Sequence, residues 1–444
     1  MKKMTRRAFA AAFLILIFLI PLPVQAQVIH EVKSGDTLTK ISKQYGFDVK
    51  AVARLNGLKT NARLVVGQAI LLQGSTYVVQ PGDSIWEIAK RHSLTENQIK
   101  KANHLKNLVI KPGQRLTIPR PPKLDVWTGT YYLPKDKQGN EWMIGNYQKT
   151  LSGLFVFEYR PQFDGTLMEL SENETHKIAW RKGLTPYATI TNLDEKVGFN
   201  PELAHRLISK KQLRKQFINN IYQVLHTHDY KGVVIDFEQV RPGDRDHLNR
   251  FLKELSQKLH KANMEVMIAV PPKEGNNIPS YSAGYDYKAI GKYVDRIFIM
   301  TYDWHWPGGP SGPIAPIDRV KATLDYAVSV TPRSKLMMGI PQYAYDWTLS
   351  GEKRQGKAYS TQKAIDIYIE HESAVQYHED FAAPTFRYVD KEGLLHEVWF
   401  EDARSLLAKF RLVKTYGLAG MGCWHLGLTT PQTEEILLEE FRIH

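Results

Sequence analysis

Cysteine is nearly absent from this chain: Cys423 stands alone among 444 residues. No disulfide can form within the molecule, so a cysteine-stapled scaffold is excluded and the fold must be held by its core. Long apolar runs are also missing. The longest, Ala8 to Ile20, falls short of the roughly 20 residues that span a bilayer, and stable membrane insertion is not expected. An acidic excess is lacking too. Lys and Arg total 59 against 46 for Asp and Glu, a formal charge of +13, which suits an anionic polymer such as a wall. No nucleic-acid motif accompanies that charge. The Gly/Pro run GGPSGP at 308–313 lacks the lysine of a phosphate loop, and HEVWF at 396–400 has Phe400 where a zinc helix needs its second histidine. No cofactor and no metal are expected, nor a nucleic-acid partner, and the chain is expected to be a monomer.

The N-terminus carries a three-part pattern. Four basic residues precede the apolar run, and Val24-Gln25-Ala26 closes it. Residues 1–26 therefore read as a secretory signal peptide, with a mature chain starting at Gln27.

Two stretches then repeat one another at about 46–47 residues. VIHEVKSGDTLTKISKQYGFDVKAVARLNGL is followed by LVVGQAILLQ, and TYVVQPGDSIWEIAKRHSLTENQIKKANHL by LVIKPGQRLTIPR. Gly35-Asp36-Thr37 matches Gly82-Asp83-Ser84, Asn56 matches Asn103, and Gly67-Gln68 matches Gly113-Gln114. Each unit reads as strand, helix, helix, strand, with Thr37 or Ser84 capping its first helix. These residues resemble LysM modules, 28–73 and 76–119. The resemblance implies binding of N-acetylglucosamine polymers such as peptidoglycan or chitin. It implies a groove between the loop Gly35 to Thr37 and the loop Leu64 to Gly67 in the first module. In the second, the groove lies between Gly82 to Ser84 and Val109 to Gly113. The bland alternative is that Gly-Asp is only a turn and a cap.

From 120 to 444, eight runs of β-forming residues alternate with amphipathic stretches: DVWTGTYYL, LSGLFVFEY, LTPYATIT, GVVIDFE, EVMIAVPP, RIFIMTYD, KLMMGIPQYAY and LAGMGCWHL. Continuous apolar strands alternating with helices predict an α/β fold, a (β/α)8 TIM barrel. The stretch from about Ser350 to Val398 is too long for one crossover, so an α+β insertion is expected there, before the last strand. In such barrels chemistry gathers where strands end. Asp236 and Glu238 sit at one such end, Tyr302 and Asp303 at another, with Gln342, Tyr343 and Trp424 at two more. Residues i and i+2 of a strand share a face, so Asp236 and Glu238 both point into the barrel mouth and Phe237 points to the helices. Two acids this close share a proton near neutral pH, which is the state a general acid needs. The alternative is a pair neutralised by the barrel's own Lys or Arg.

The set KGVVIDFE, IMTYD and GMGCWHL resembles glycoside hydrolase family 18, in its LysM-bearing, spore-associated branch acting on peptidoglycan. That branch implies a secreted protein associated with the wall or the spore. The family's Asp-Gly-x-Asp-x-Asp-x-Glu signature falls with its glycine on Gly232 and its last two acids on Asp236 and Glu238. Its earlier acids fall on Lys231 and Val234, a departure that shortens the proton relay along the strand. Met300, Tyr302 and Asp303 match the sixth-strand motif, and Trp424 the eighth-strand tryptophan. The resemblance implies substrate-assisted retaining hydrolysis, an exception to the two-carboxylate scheme. Glu238 would protonate the leaving oxygen, Asp236 would steady the oxazolinium charge, and Tyr302 would hold the acetamido oxygen. Trp424 would give the sugar ring a flat floor, unless it is only core packing. A wall-binding lectin without turnover and a chitinase are the competing readings.

Overall fold

The computed structural model describes residues 27–444 except 75, 93, 120–122, 169–173, 276–278 and 351–355. The expected signal peptide lies outside the described residues. Among the described residues no helix is long and apolar enough to cross a membrane.

Eight parallel strands form the barrel: Leu124–Tyr132, Gly153–Pro161, Thr185–Thr191, Gly232–Asp236, Glu265–Val270, Arg296–Ile299, Leu336–Pro341 and Gly420–Trp424. The first pairs with both the second and the eighth, which closes the cylinder. The interior is packed rather than open. Tyr131, Phe155 and Phe298 meet edge to face there, and each such pair adds about 0.5–1.5 kcal/mol beyond its area burial. Strand four is buried along its whole length, because odd residues face helices and even residues face the barrel axis. Gly232 is required at its start: a Cβ there would lie 2.2 Å from the Glu265 carbonyl oxygen of the next strand. Phe237, on the helix side, stacks with Phe217 and Phe251 of the flanking helices. Cys423 faces the same way on strand eight and is buried beside Thr130 Oγ1 at 2.9 Å. Burial pushes its thiol up to about 12, against the hydrogen bond it shares with Thr130.

The insertion does precede the last strand, but it starts earlier than Ser350. The run KLMMGIPQYAY is not one strand. Leu336–Pro341 stays in the barrel, whereas Tyr343–Thr348 pairs antiparallel with Gly356–Ser360 and Leu395–Trp399. Pro341 has no N–H to continue the ladder, and the chain leaves the barrel there. Two further strands, Gln376–His378 and Ala383–Val389, complete a five-stranded sheet, with helix Thr361–Glu370 against it.

Each small module has the expected order. The first runs Gln27–Glu31, Leu38–Tyr45, Val49–Leu55, Ala69–Gln73; the second runs Thr76–Val78, Ile85–Arg91, Glu96–Ala102, Arg115–Thr117. The repeated asparagine explains itself. Asn56 Nδ2 donates to the carbonyls of Val52 and Leu71 and its Oδ1 accepts from Leu71 N–H. Asn103 makes the same three bonds with Ile99 and Thr117. One amide thus ties a helix end to the closing strand in both units. The second module, Gly74–Arg120, forms a compact unit of its own, whereas Gln27–Gln73 belongs to one unit with Pro121–His444.

Candidate active site

Asp236 ends strand four and is 3% exposed. Its Oδ1 is buried without a protein hydrogen-bond partner of ordinary geometry, and so is the hydroxyl of Tyr131. Burial above all, and then the charge of Glu158, push the Asp236 carboxyl up to about 7, while Tyr131 holds it down. Glu238 lies well above the usual carboxylate range, through burial first and then the charges of Asp236 and Asp303. Neither acid pairs with a Lys or Arg among the described residues, so the neutralised-pair alternative loses its cation. One proton shared over this pair near neutral pH is the expected state.

Glu158 is a residue that the sequence reading missed. It lies near the end of strand two, buried, accepting Thr191 Oγ1 at 2.9 Å and a two-pronged contact from Arg160 Nε and Nη2 at 2.9 and 2.6 Å. Val234, where the family pattern has an acid, is fully buried and apolar. The negative neighbour of Asp236 therefore comes from strand two, not from its own strand. Lys231, the other departure, sits at the strand's opposite end, where Nζ donates to the Asn263 carbonyl at 3.1 Å.

Glu238 lies past the strand, and its backbone is clamped. Asn192, fully buried at the end of strand three, accepts from Glu238 N–H at 2.8 Å and donates to the Glu238 carbonyl at 2.9 Å. Tyr285 Oη donates to the Phe237 carbonyl at 2.7 Å. These two side chains fix the acid's main chain from either side, and the sequence reading missed both.

Tyr302 is 8% exposed and meets Tyr343 edge to face at 6.2 Å. Burial, then the charges of Asp303, Asp236 and Glu238, drive its hydroxyl well above the usual phenol range, so it stays a donor. Asp303 has a left-handed backbone, φ 63°. Its Oδ1 accepts Tyr343 Oη at 2.6 Å and Tyr345 Oη at 2.8 Å. Although open to solvent along one side, it is crowded enough that burial raises its carboxyl against those two bonds. Tyr345, on the insertion, is another partner absent from the sequence reading. Trp424 is half-buried, with Tyr131 and Phe157 at 5.3 and 4.9 Å, and Met300 packs half-buried beside the core. Gln342 is not brought to this group. It lines a cavity of about 40 Å³ with Phe410, Met421 and Leu437, between strands and outer helices. The peptide bonds Phe157–Glu158 and Trp424–His425 are cis.

In the small modules the expected sugar-contact acids have internal partners. Asp36 accepts Lys33 N–H at 2.8 Å and meets His30 Nε2 at 2.9 Å. Burial raises its carboxyl, but those contacts win and hold it below the usual range. Asp83 accepts Gln80 N–H at 2.7 Å and Tyr77 Oη at 2.5 Å. Gly35 and Gly82 share a left-handed φ, 85° and 89°. Thr37 and Ser84 accept from Lys40 and Glu87 N–H. Elsewhere, His205 and His247 both meet Asp244 Oδ1, at 2.6 and 3.0 Å, three donors close enough to hold a metal ion.

Comparison with known proteins identifies the family of each part of the chain. The profile of glycosyl hydrolases family 18 matches residues 202–428, and that of the LysM domain matches 30–73 and 77–119. The chain is 34% identical to the cortical fragment-lytic enzyme of Bacillus subtilis (strain 168), over 94% of this chain and 98% of that one. It is likewise 34% identical to the cortical fragment-lytic enzyme of Bacillus anthracis, over 93% and 98%. The crystal structure of the Bacillus cereus spore cortex-lytic enzyme SleL superposes with a TM-score of 0.86 at 34% identity, covering 94% of this chain and 99% of that one. With a barrel of this topology and matches of this extent, the chain belongs to glycosyl hydrolases family 18, is a glycoside hydrolase, and carries two LysM domains.

Proposed function

We propose that this enzyme is exported, associates with the wall or spore, and cleaves N-acetylglucosaminyl bonds in peptidoglycan, cortex peptidoglycan above all. Two relatives that the chain spans almost completely are described as cortical fragment-lytic enzymes, which favours cortex over chitin. The observation that carries the catalytic assignment is the buried Asp236 carboxyl, faced in the protein by the Tyr131 hydroxyl without a bond of ordinary geometry, beside a strongly raised Glu238. A carboxylate has lone pairs for several donors, and an acetamido N–H is a donor that would satisfy what Tyr131 leaves open.

In the cycle, Glu238 gives its proton to the glycosidic oxygen as the bond to the anomeric carbon breaks. The acetamido carbonyl oxygen attacks that carbon from the other face. Asp236 accepts the acetamido N–H and stabilises the oxazolinium charge, and Tyr302 donates to the acetamido oxygen. Glu238, now a carboxylate, takes a proton from water, which opens the ring with retained configuration. Trp424 supports the sugar face. Mass spectrometry of muropeptides released from defined wall and cortex preparations tests the reading. New N-acetylglucosamine reducing ends from cortex are expected. Release from chitin alone would make the protein a chitinase, and no release from any of them would make it a lectin.

A further inference from the structure

The two LysM modules repeat one another in sequence but differ in what surrounds the loop before the closing strand. In the first module Val65 and Gly67 of that loop are docked on the catalytic domain, while the Val66 side chain stays half exposed. Val65 is 5% exposed, in an apolar cluster with Ile365, Val375 and Phe386 of the insertion. The Val66 carbonyl accepts Val375 N–H at 2.9 Å. The Gly67 carbonyl accepts Arg404 Nη2 at 2.9 Å, while Arg404 Nη1 reaches Glu31 at 2.9 Å. Gln432 donates to Asn56 Oδ1 at 2.5 Å, on the amide that ties the module together. A Cβ at Gly67 would sit 1.8 Å from the Val375 carbonyl oxygen.

The aligned loop of the second module is built differently. Lys111 stands where the first has Val65, and Pro112 where it has Val66. Gly113 has nearly the same backbone angle as Gly67, φ 81° against 82°, yet a Cβ there would meet nothing within 4 Å. Lys111, Pro112 and Gly113 are all exposed, whereas Val65 and Gly67 are buried; Val109, earlier on the loop, is 68% exposed. A docking loop needs apolar, shape-matched residues; a loop left open carries charge and proline.

We infer that the modules have divided their work: the first is a fixed brace on the catalytic domain, one wall of its sugar groove pinned there through Val65 and Gly67, and the second alone takes up the N-acetylglucosamine polymer. The inference rests on the proposal that LysM units here bind such polymers. Attachment to the wall then follows single-site binding rather than the avidity of two tethered sites, which would exceed one site by about 10²–10⁴.

Two measurements on the full chain test it. The first is co-sedimentation with insoluble cortex peptidoglycan, in a Glu238→Gln background that does not digest the probe. Pro81→Trp with Val109→Glu, on the exposed loops of the second module, should weaken binding about tenfold or more, a loss of about 1.4 kcal/mol. Ser34→Trp, at the position of the first module matching Pro81, should change it less than about twofold. Equal losses, or a loss confined to Ser34→Trp, would overturn the division. Failure of the parent protein to sediment would remove the glycan-binding proposal itself. The second measurement compares Gly67→Ala with Gly113→Ala by thermal unfolding of the catalytic domain. Both carry the same backbone strain, so the difference reports docking. Gly67→Ala should lower its Tm by about 2 °C or more relative to Gly113→Ala, and equal Tm values would refute the brace.

Discussion

Replacing Glu158 by Gln would show how this barrel raises Asp236 without an acid on the same strand. The side chain keeps its shape and can still accept from Thr191; only the charge is lost. Thr191 is the register partner of Asp236, and adjacent strands lie about 4.8 Å apart, so the two carboxyls stand roughly 7 Å apart. At an effective dielectric constant near 20, unit charges at that distance repel by about 2.4 kcal/mol, or about 1.7 pH units. The Arg160 fork offsets part of this, leaving about one unit. Asp236 also faces Tyr131, Glu238 and Tyr302, none of which is altered. Its titration should therefore fall from about 7 toward roughly 6. Asp236 works as a carboxylate, so the acid limb of kcat/KM, which reports the free enzyme, should move down by about one unit. The alkaline limb belongs mainly to Glu238, whose neighbours are Asp236 and Asp303, and should move less. Stability follows the same sign. A raised folded-state carboxyl contributes stability that is fully present below its unfolded pKa and lost as pH rises through the folded value. The variant should thus lose less between pH 4 and pH 8 than the native protein. The assay is kcat/KM on soluble cortex fragments from pH 4 to 9, with Tm recorded alongside. An acid limb that stays where it is, in a variant with native Tm, would mean that burial alone raises Asp236 and that Glu158 only anchors Arg160 and Thr191.

Glu238→Gln should lower turnover by about 10²–10⁴ while raising Tm at pH 8, because a group whose burial disfavours its charge has been made neutral; both are read by fragment assay and calorimetry. Asp236→Asn should impair turnover and weaken binding of a thiazoline mimic of the bicyclic intermediate, measured by titration calorimetry against the native enzyme. Asn192→Ala removes both hydrogen bonds that position the Glu238 main chain and should cut kcat by about 10²-fold, as a displacement near 1 Å does, with sedimentation on insoluble cortex unchanged. N-terminal sequencing of the exported protein should begin at Gln27, whereas an intact Met1 in the membrane fraction would refute cleavage.

Much of the barrel was legible because each of its strands is a short apolar run bounded by turn residues, and because Asp236 and Glu238 interrupt such a run at its end. Boundaries set by backbone chemistry were harder to see. KLMMGIPQYAY looks continuous until Pro341 is recognised as the point where the ladder stops. Gln342 follows from the same parity: Gly339 and Pro341 alternate onto the axis side, so the next residue faces the helices. Glu158 was hidden for another reason. Within LFVFEYRP it reads as a surface acid beside a surface arginine, and only the closure of strand two against strand three brings it to Thr191 and Asp236. Asn192 and Tyr345 carry no local mark at all; their importance lies in partners 46 and 42 residues away.

The solitary thiol has a practical consequence. Cys423 is buried against the helices and pushed up to about 12, so at neutral pH almost none of it is thiolate, the form that reacts. Alkylating dyes should leave the folded native protein unlabelled. Any cysteine introduced at the surface then becomes a unique chemical handle without further substitution. A fluorophore at Val109, on the exposed loop of the second module, would report sugar uptake there against a silent background.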